Sequence, residues 1–213
     1  MTFFKAVSIY KSLAPCFPKS ERKNLFAVCR LIAASGENAR KLAFGGVSFL
    51  PRAKSWELLC GESVTLPERI YFCECPPSAI ARLTGAQKAI CHCIFSRSHD
   101  GFARERHIEA LFALGVPDFA LPYVVESGGD YVLEIVQTLY RLLQGEDLER
   151  YRKFCRINLK NVQSCHSRMI SYRREYYMDI CPCYGSYVGK ALFEKCFGFY
   201  KTGQKYISVY NTE

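Results

Sequence analysis

The stretch DYVLEIVQTLYRLL, residues 130–143, places Val132, Ile135, Val136, Leu139, Leu142 and Leu143 on one face of a helix. These positions match the i, i+3, i+4, i+7 template without a miss, so the segment reads as an amphipathic α-helix. Asp130 stands before it as a cap, and Gly128-Gly129 end a shorter helix that Pro122 can open.

The same period extends outward through residues 98–180. Asp100 offers an N-cap for a helix over 101–114 with Ile108, Leu111 and Phe112 on its inner side. After Pro76-Pro77, residues 78–96 read as a helix with Ile80, Leu83, Gln87, Ile90 and Ile94 along one face. A single long helix is expected over 146–178, because Leu148, Tyr151, Cys155, Leu159, Val162, Cys165, Met169, Tyr172 and Tyr176 follow one another at steps of three and four.

Residues 1–14 and 20–34 read as two short helices separated by Pro15-Cys16-Phe17-Pro18, with Ser20 as N-cap and Gly36 as stop. Between 36 and 76 the helical period fades. Gly45-Gly46, Pro51, Gly61 and Pro67 punctuate short pieces there, and Arg69-Ile70-Tyr71-Phe72-Cys73 has strand-like composition. The tail from 184 is rich in Tyr, Phe and Gly without a clear period.

The expected fold is mainly α: an irregular stack of antiparallel helices with one long C-terminal helix and a small β element near 64–75. It is read as one α-helical domain over 1–213, with an N-terminal helical and irregular part (1–76), a helical core (77–180) and an aromatic tail (181–213). The short helices between 101 and 144 resemble one unit of a HEAT-type helical repeat, in which an Arg-containing amphipathic helix precedes a Pro-started partner. No second copy follows at a period near 40, and such arrays need at least three units, so the reading is an α-hairpin stack.

Hydrophobic residues make up 49% of the 213 and charged residues 23%, which is the composition of a chain that folds throughout. No run approaches the roughly 18 apolar residues of a membrane-spanning helix. Lys5 and Lys11 interrupt the N-terminal apolar run, so no signal peptide is read there and the expected location is cytoplasmic, away from membranes. In that compartment the twelve cysteines are expected as reduced thiols, mostly acting as small buried hydrophobes, as at Cys29, Cys155 and Cys165.

Charge is sorted along the chain. Residues 100–149 carry three bases and ten acids, a net of −7 within a chain of net +9, whereas 150–174 hold eight bases and no acid. One reading is a polyanion footprint, with Arg152, Lys153, Arg156, Lys160 and Arg173 as phosphate-binding residues. The other is that acidic helices pack beside the basic one and the fields cancel. Tyr151 and Tyr172 fall on the apolar stripe, which favours core over base stacking.

Three Cys-x-Cys pairs occur. Cys91 and Cys93 point about 200° apart on a helix and cannot share an ion. Cys73 with Cys75 and Cys181 with Cys183 are the candidates for a structural zinc, although their spacing is not the usual two to four residues. No cofactor is otherwise expected. For catalysis, Ser96-Arg97-Ser98-His99-Asp100-Gly101 concentrates a hydroxyl, an imidazole and a carboxylate in a loop, and His99, Asp100 and Arg104 are the residues to test. No P-loop, GxGxxG or GxSxG motif is present. The leading expectation is a non-enzymatic module that binds another protein through the acidic face of residues 105–134 and the basic long helix. A nucleic-acid-associated protein is the alternative, and an enzyme of unrecognised type comes after it.

Overall fold

The computed structural model describes residues 2–35, 53–202 and 205–208. It is mainly α, and its chain divides into two compact units, Met1–Ala120 and Leu121–Glu213.

In the first unit, α1 (Thr2–Leu13) and α2 (Arg22–Ala34) form the expected helical hairpin. Ala6, Ile9 and Leu13 are buried with Leu25, Val28, Cys29 and Ile32, each set at helical spacing. The second helix begins at Arg22 and not behind a Ser20 cap, because Lys19–Glu21 first make a 3-10 turn. Gly36, Gly45-Gly46 and Pro51 lie outside the described residues.

Where the helical period fades, β1 (Ala53–Glu57) and β2 (Ser63–Pro67) pair as an antiparallel hairpin, with Trp56 opposite Val64. Both of these side chains are buried, and Gly61 supplies the positive φ (84°) that the connecting turn requires. The strand expected at 69–73 is reduced to one bridge between Ile70 and Ser98. Buried Arg97 fixes that crossing by donating to the carbonyls of Pro67 (3.3 Å) and Glu68 (2.6 Å).

The single helix expected over 78–96 is two: α3 (Pro77–Ala81) and α4 (Gly85–Phe95). Thr84 breaks them by opening a capping box, its hydroxyl accepting from Gln87 N while the Gln87 side chain accepts from Thr84 N. Gln87 is therefore a cap and not a core position. Every residue from Ala89 to Phe95 is buried, so the second half of α4 is covered on all sides. Asp100 caps α5 (Gly101–Ala113) as expected, accepting from Phe102 N at 3.0 Å.

The second unit begins with α6 (Leu121–Ser127), followed by α7 (Leu133–Leu143), whose apolar stripe is buried at Ile135, Val136, Leu139 and Leu143. Asp130 accepts from Val132 N (3.1 Å) just before α7. The long helix expected over 146–178 is interrupted: α8 (Leu148–Ile157) stops at Asn158 and α9 runs over Leu159–Tyr176. Asn158 leaves helical geometry (φ −107°, ψ 32°), and its side-chain amide donates to Phe154 O at 3.0 Å, which is the local competition that disfavours Asn inside helices.

At Gly129 the backbone passes against α9. A Cβ there would sit 2.9 Å from Cys165 O and 3.0 Å from Cys165 Cα. The aromatic tail is ordered in part, with α10 (Val188–Ala191) running into a π turn at Leu192–Cys196 and then a hairpin of β3 (Phe199–Thr202) with β4 (Lys205–Ser208). Tyr187, Phe193, Phe197 and Phe199 are buried.

Candidate functional site

The loop that concentrates His99 and Asp100 serves the fold. His99 is exposed and stacks on the Tyr71 ring (5.3 Å, 20°), Asp100 caps α5, and the buried Arg104 guanidinium donates to the carbonyls of Ser98 (3.0 Å) and His99 (3.1 Å). Each of the three residues named for catalysis is engaged in holding this turn.

The basic segment is largely answered within its own unit. Arg150 pairs with Glu146 (2.6 Å), Arg156 with Glu149 (2.6 Å) and Arg168 with Glu126 (2.7 Å). Arg152 donates to Lys195 O at 2.6 Å. Arg173 is buried and its Nη2 donates to Cys181 O and Pro182 O, both at 2.6 Å, so its guanidinium is withdrawn from the surface where a phosphate would meet it. Lys153, Lys160 and Arg174 remain as exposed cations. The acidic run is likewise no continuous face, since Glu126 and Asp130 are buried.

Of the zinc candidates, Cys73 and Cys75 lie in the first unit, outside any strand, and Cys181 and Cys183 lie in the second. Among the described residues no group of three His, Cys, Asp or Glu side chains is placed to hold a metal ion. All twelve thiols are free, and eight of them are buried.

Two further features come from the fold. The first is a surface at the end of α9. Tyr131 and Tyr172 meet edge to face (5.9 Å), Tyr172 stacks on Tyr176 (6.2 Å), and Tyr176 meets Tyr177 (6.4 Å). Tyr176 is 60% exposed, contrary to its expected place on the buried stripe, and Met178 (44%) and Ile180 (70%) follow it into solvent. The segment is fixed from beneath: Arg173 grips the carbonyls of 181 and 182, and the Tyr177 hydroxyl donates to Tyr131 O (2.7 Å) while accepting from Leu133 N (3.1 Å).

The second is a cavity of about 450 Å³ in the first unit, lined by Glu74, Cys75, Pro77, Ile80, Ala81, Lys88, His92, Arg106, His107 and Ala110. Glu74 bonds Arg106 through Oε2 (2.7 Å) and His107 Nε2 through Oε1 (2.8 Å), and His107 Nδ1 lies 2.8 Å from His92 Nδ1. Burial, then the neighbouring His107 and Lys88, hold the His92 pKa down at about 4. Burial also lowers that of His107 against the opposing pull of Glu74. The Cys75 thiol is held below its ordinary value by the adjacent Cys91 thiol, whose own value is pushed up in turn.

Sequence reading missed this chain because Glu74, His92 and His107 are 15 and more positions apart and each sits beside residues that drew attention for other reasons. The one available signal was that His107 falls beside Ile108 and one turn before Leu111, at a position the helical period turns inward; His92 lies opposite the apolar face read for its helix.

No protein-family model, curated protein or solved structure matches the chain. No helix among the described residues is long and apolar enough to cross a membrane.

Proposed function

We propose that the chain is a helical module that binds another protein, and that the surface of Tyr131, Tyr172, Tyr176, Met178 and Ile180 is its contact. The observation that carries this reading is the exposure of rings and apolar side chains on a segment anchored by the buried Arg173 side chain. Tyr, Met and Arg are the residue types enriched at interfaces, and a pre-ordered segment loses little entropy on binding. Exposed Arg174, Glu175 and Asp179 flank Tyr176 in the chain and supply charges of mixed sign.

That mixed charge favours a protein over a nucleic acid. Glu175 and Asp179 would repel phosphates from the stacked tyrosines, and most of the arginines in 150–174 already bond within the fold.

The test is capture of partners by the tagged full chain from native lysate treated with nuclease, run beside a Tyr176→Ser/Ile180→Ser variant of matched melting temperature. A stoichiometric protein that survives nuclease and is lost with the variant supports the reading. A partner set that disappears with nuclease, or that the variant retains in full, contradicts it.

A further inference from the structure

The cavity of the first unit holds a hydrogen-bonded chain whose proton positions follow from chemistry. An ionised carboxylate only accepts, so the Glu74 Oε1 contact requires the hydrogen on His107 Nε2. Neutral His107 then presents a lone pair at Nδ1. The 2.8 Å approach of the two Nδ1 atoms requires that His92 carry its hydrogen on Nδ1. His92 Nε2 is left with a lone pair, and among the described residues it has no hydrogen-bonding partner.

His92 lines the cavity together with Lys88, which lies one turn earlier on α4, and the same cavity has an apolar wall of Pro77, Ile80 and Ala110. Among the described residues Lys88 has no ion-pair partner. A buried imidazole is by itself a poor base, because burial opposes the charge it would acquire. The chain reduces that obstacle by moving the charge to the histidine that a carboxylate faces, where Glu74 opposes the effect of burial. When Nε2 accepts a proton, the Nδ1 proton of His92 passes to His107 Nδ1, and His92 ends neutral in its other tautomer. The positive charge then rests on His107, 2.8 Å from the Glu74 carboxylate.

We propose that this cavity is a general-base site, in which His92 Nε2 abstracts a proton from a small, largely apolar carbon acid whose anion is met by Lys88. His107 and Glu74 act as positioning residues that receive the charge. Glu74, Arg106, Lys88 and Cys75 are the titratable or charged groups that line the cavity with the two histidines.

A direct probe is 5-nitrobenzisoxazole, a flat bicyclic carbon acid. The base removes the C3 proton, the C–H electron pair becomes part of the nitrile, the N–O bond breaks, and the oxygen leaves as a coloured phenolate. The proton then returns from the relay to buffer. The full chain is expected to accelerate this reaction about 10²-fold over free imidazole at equal concentration. His92→Gln, which retains a polar side chain without a basic nitrogen, is expected to fall to background. Glu74→Gln is expected to lower the rate at least tenfold and to move the acid limb of the pH–rate profile to lower pH, a shift that a merely structural role would not produce. Nitrogen-15 shifts of the histidine rings give an independent reading, with Nε2–H on His107 and Nδ1–H on His92 expected. A wild-type rate equal to that of a folded His92→Gln variant, or an Nε2–H tautomer at neutral His92, overturns the proposal.

Discussion

Replacing Arg173 with Met tests whether the tyrosine-rich surface is held in place as described. The Arg173 guanidinium donates to Cys181 O and Pro182 O at 2.6 Å and lies over the rings of Tyr184 (5.6 Å) and Tyr187 (5.9 Å). Two hydrogen bonds from a charged donor contribute about 1.5–3 kcal/mol each, and the two ring contacts add about 0.5–1 kcal/mol each. Opposing them are the buried Nε, which lacks a partner and costs about 1–3 kcal/mol, and about 2 kcal/mol for ordering the side chain. The net loss in Arg173→Met is about 2 kcal/mol, which for a chain of this size lowers the melting temperature by about 4–8 °C. Concentrated in one segment, the same energy raises local opening by more than about tenfold. Limited chymotrypsin digestion should therefore cut beside Tyr176 and Tyr177 several-fold faster in the variant, and partner capture should weaken in parallel. Unchanged melting and unchanged cleavage at those tyrosines would refute the reasoning.

Other outcomes follow from the same structure. Gly129→Ala places a methyl group against the backbone of Cys165; overpacking of about 1–3 kcal/mol less the unfolded-state gain of about 0.4–1 kcal/mol lowers the melting temperature by a few degrees, whereas Gly145→Ala, whose nearest neighbour would be at 3.9 Å, keeps that gain unopposed and raises the melting temperature slightly. Because burial holds His92 at about 4 in the folded chain, the unfolded chain binds more protons between about 4 and 6.5. Stability is then full above about 6.5 and is lost progressively as pH falls toward 4. Urea midpoints measured across that window should show a shallower decline in His92→Gln, and parallel curves would count against it. Backbone N–H groups of Gly185 and Ser186 lower the pKa of exposed Cys183, so iodoacetamide followed by peptide mapping at neutral pH should label Cys183 ahead of Cys60, the other exposed thiol.

What could be read from the sequence tracks how far each feature depends on local pattern. The stripe of α7 and the Asp100 cap are written in neighbouring residues, and both stand where the period and the cap chemistry placed them. Breaks inside helices were harder to see. Thr84, which starts a helix, and Asn158, which ends one, do so by side-chain bonds that an apolar period passes over, since Leu83, Leu159 and Val162 keep the spacing of three and four through the break. Charge was legible as a sum and not as a surface: only the fold brings Arg168 to Glu126, 42 positions away, and turns Arg173 inward onto two carbonyls. Tyr176 continues the apolar spacing of α9 but lies in its last turn, where a residue can remain in step with the stripe and still be exposed. The Glu74–His107–His92 chain depends on three separate segments meeting, which periodicity does not encode.

The measurement that bears most directly on the central claim is photocrosslinking in the native cell, with a benzophenone amino acid placed in turn at Tyr176 and Ile180 of the full chain, and at exposed Glu109 in the first unit as control. The account expects one discrete protein adduct from Tyr176 and Ile180 that is resistant to nuclease and absent from Glu109. Adducts that nuclease abolishes, or no adduct at either position, would contradict it.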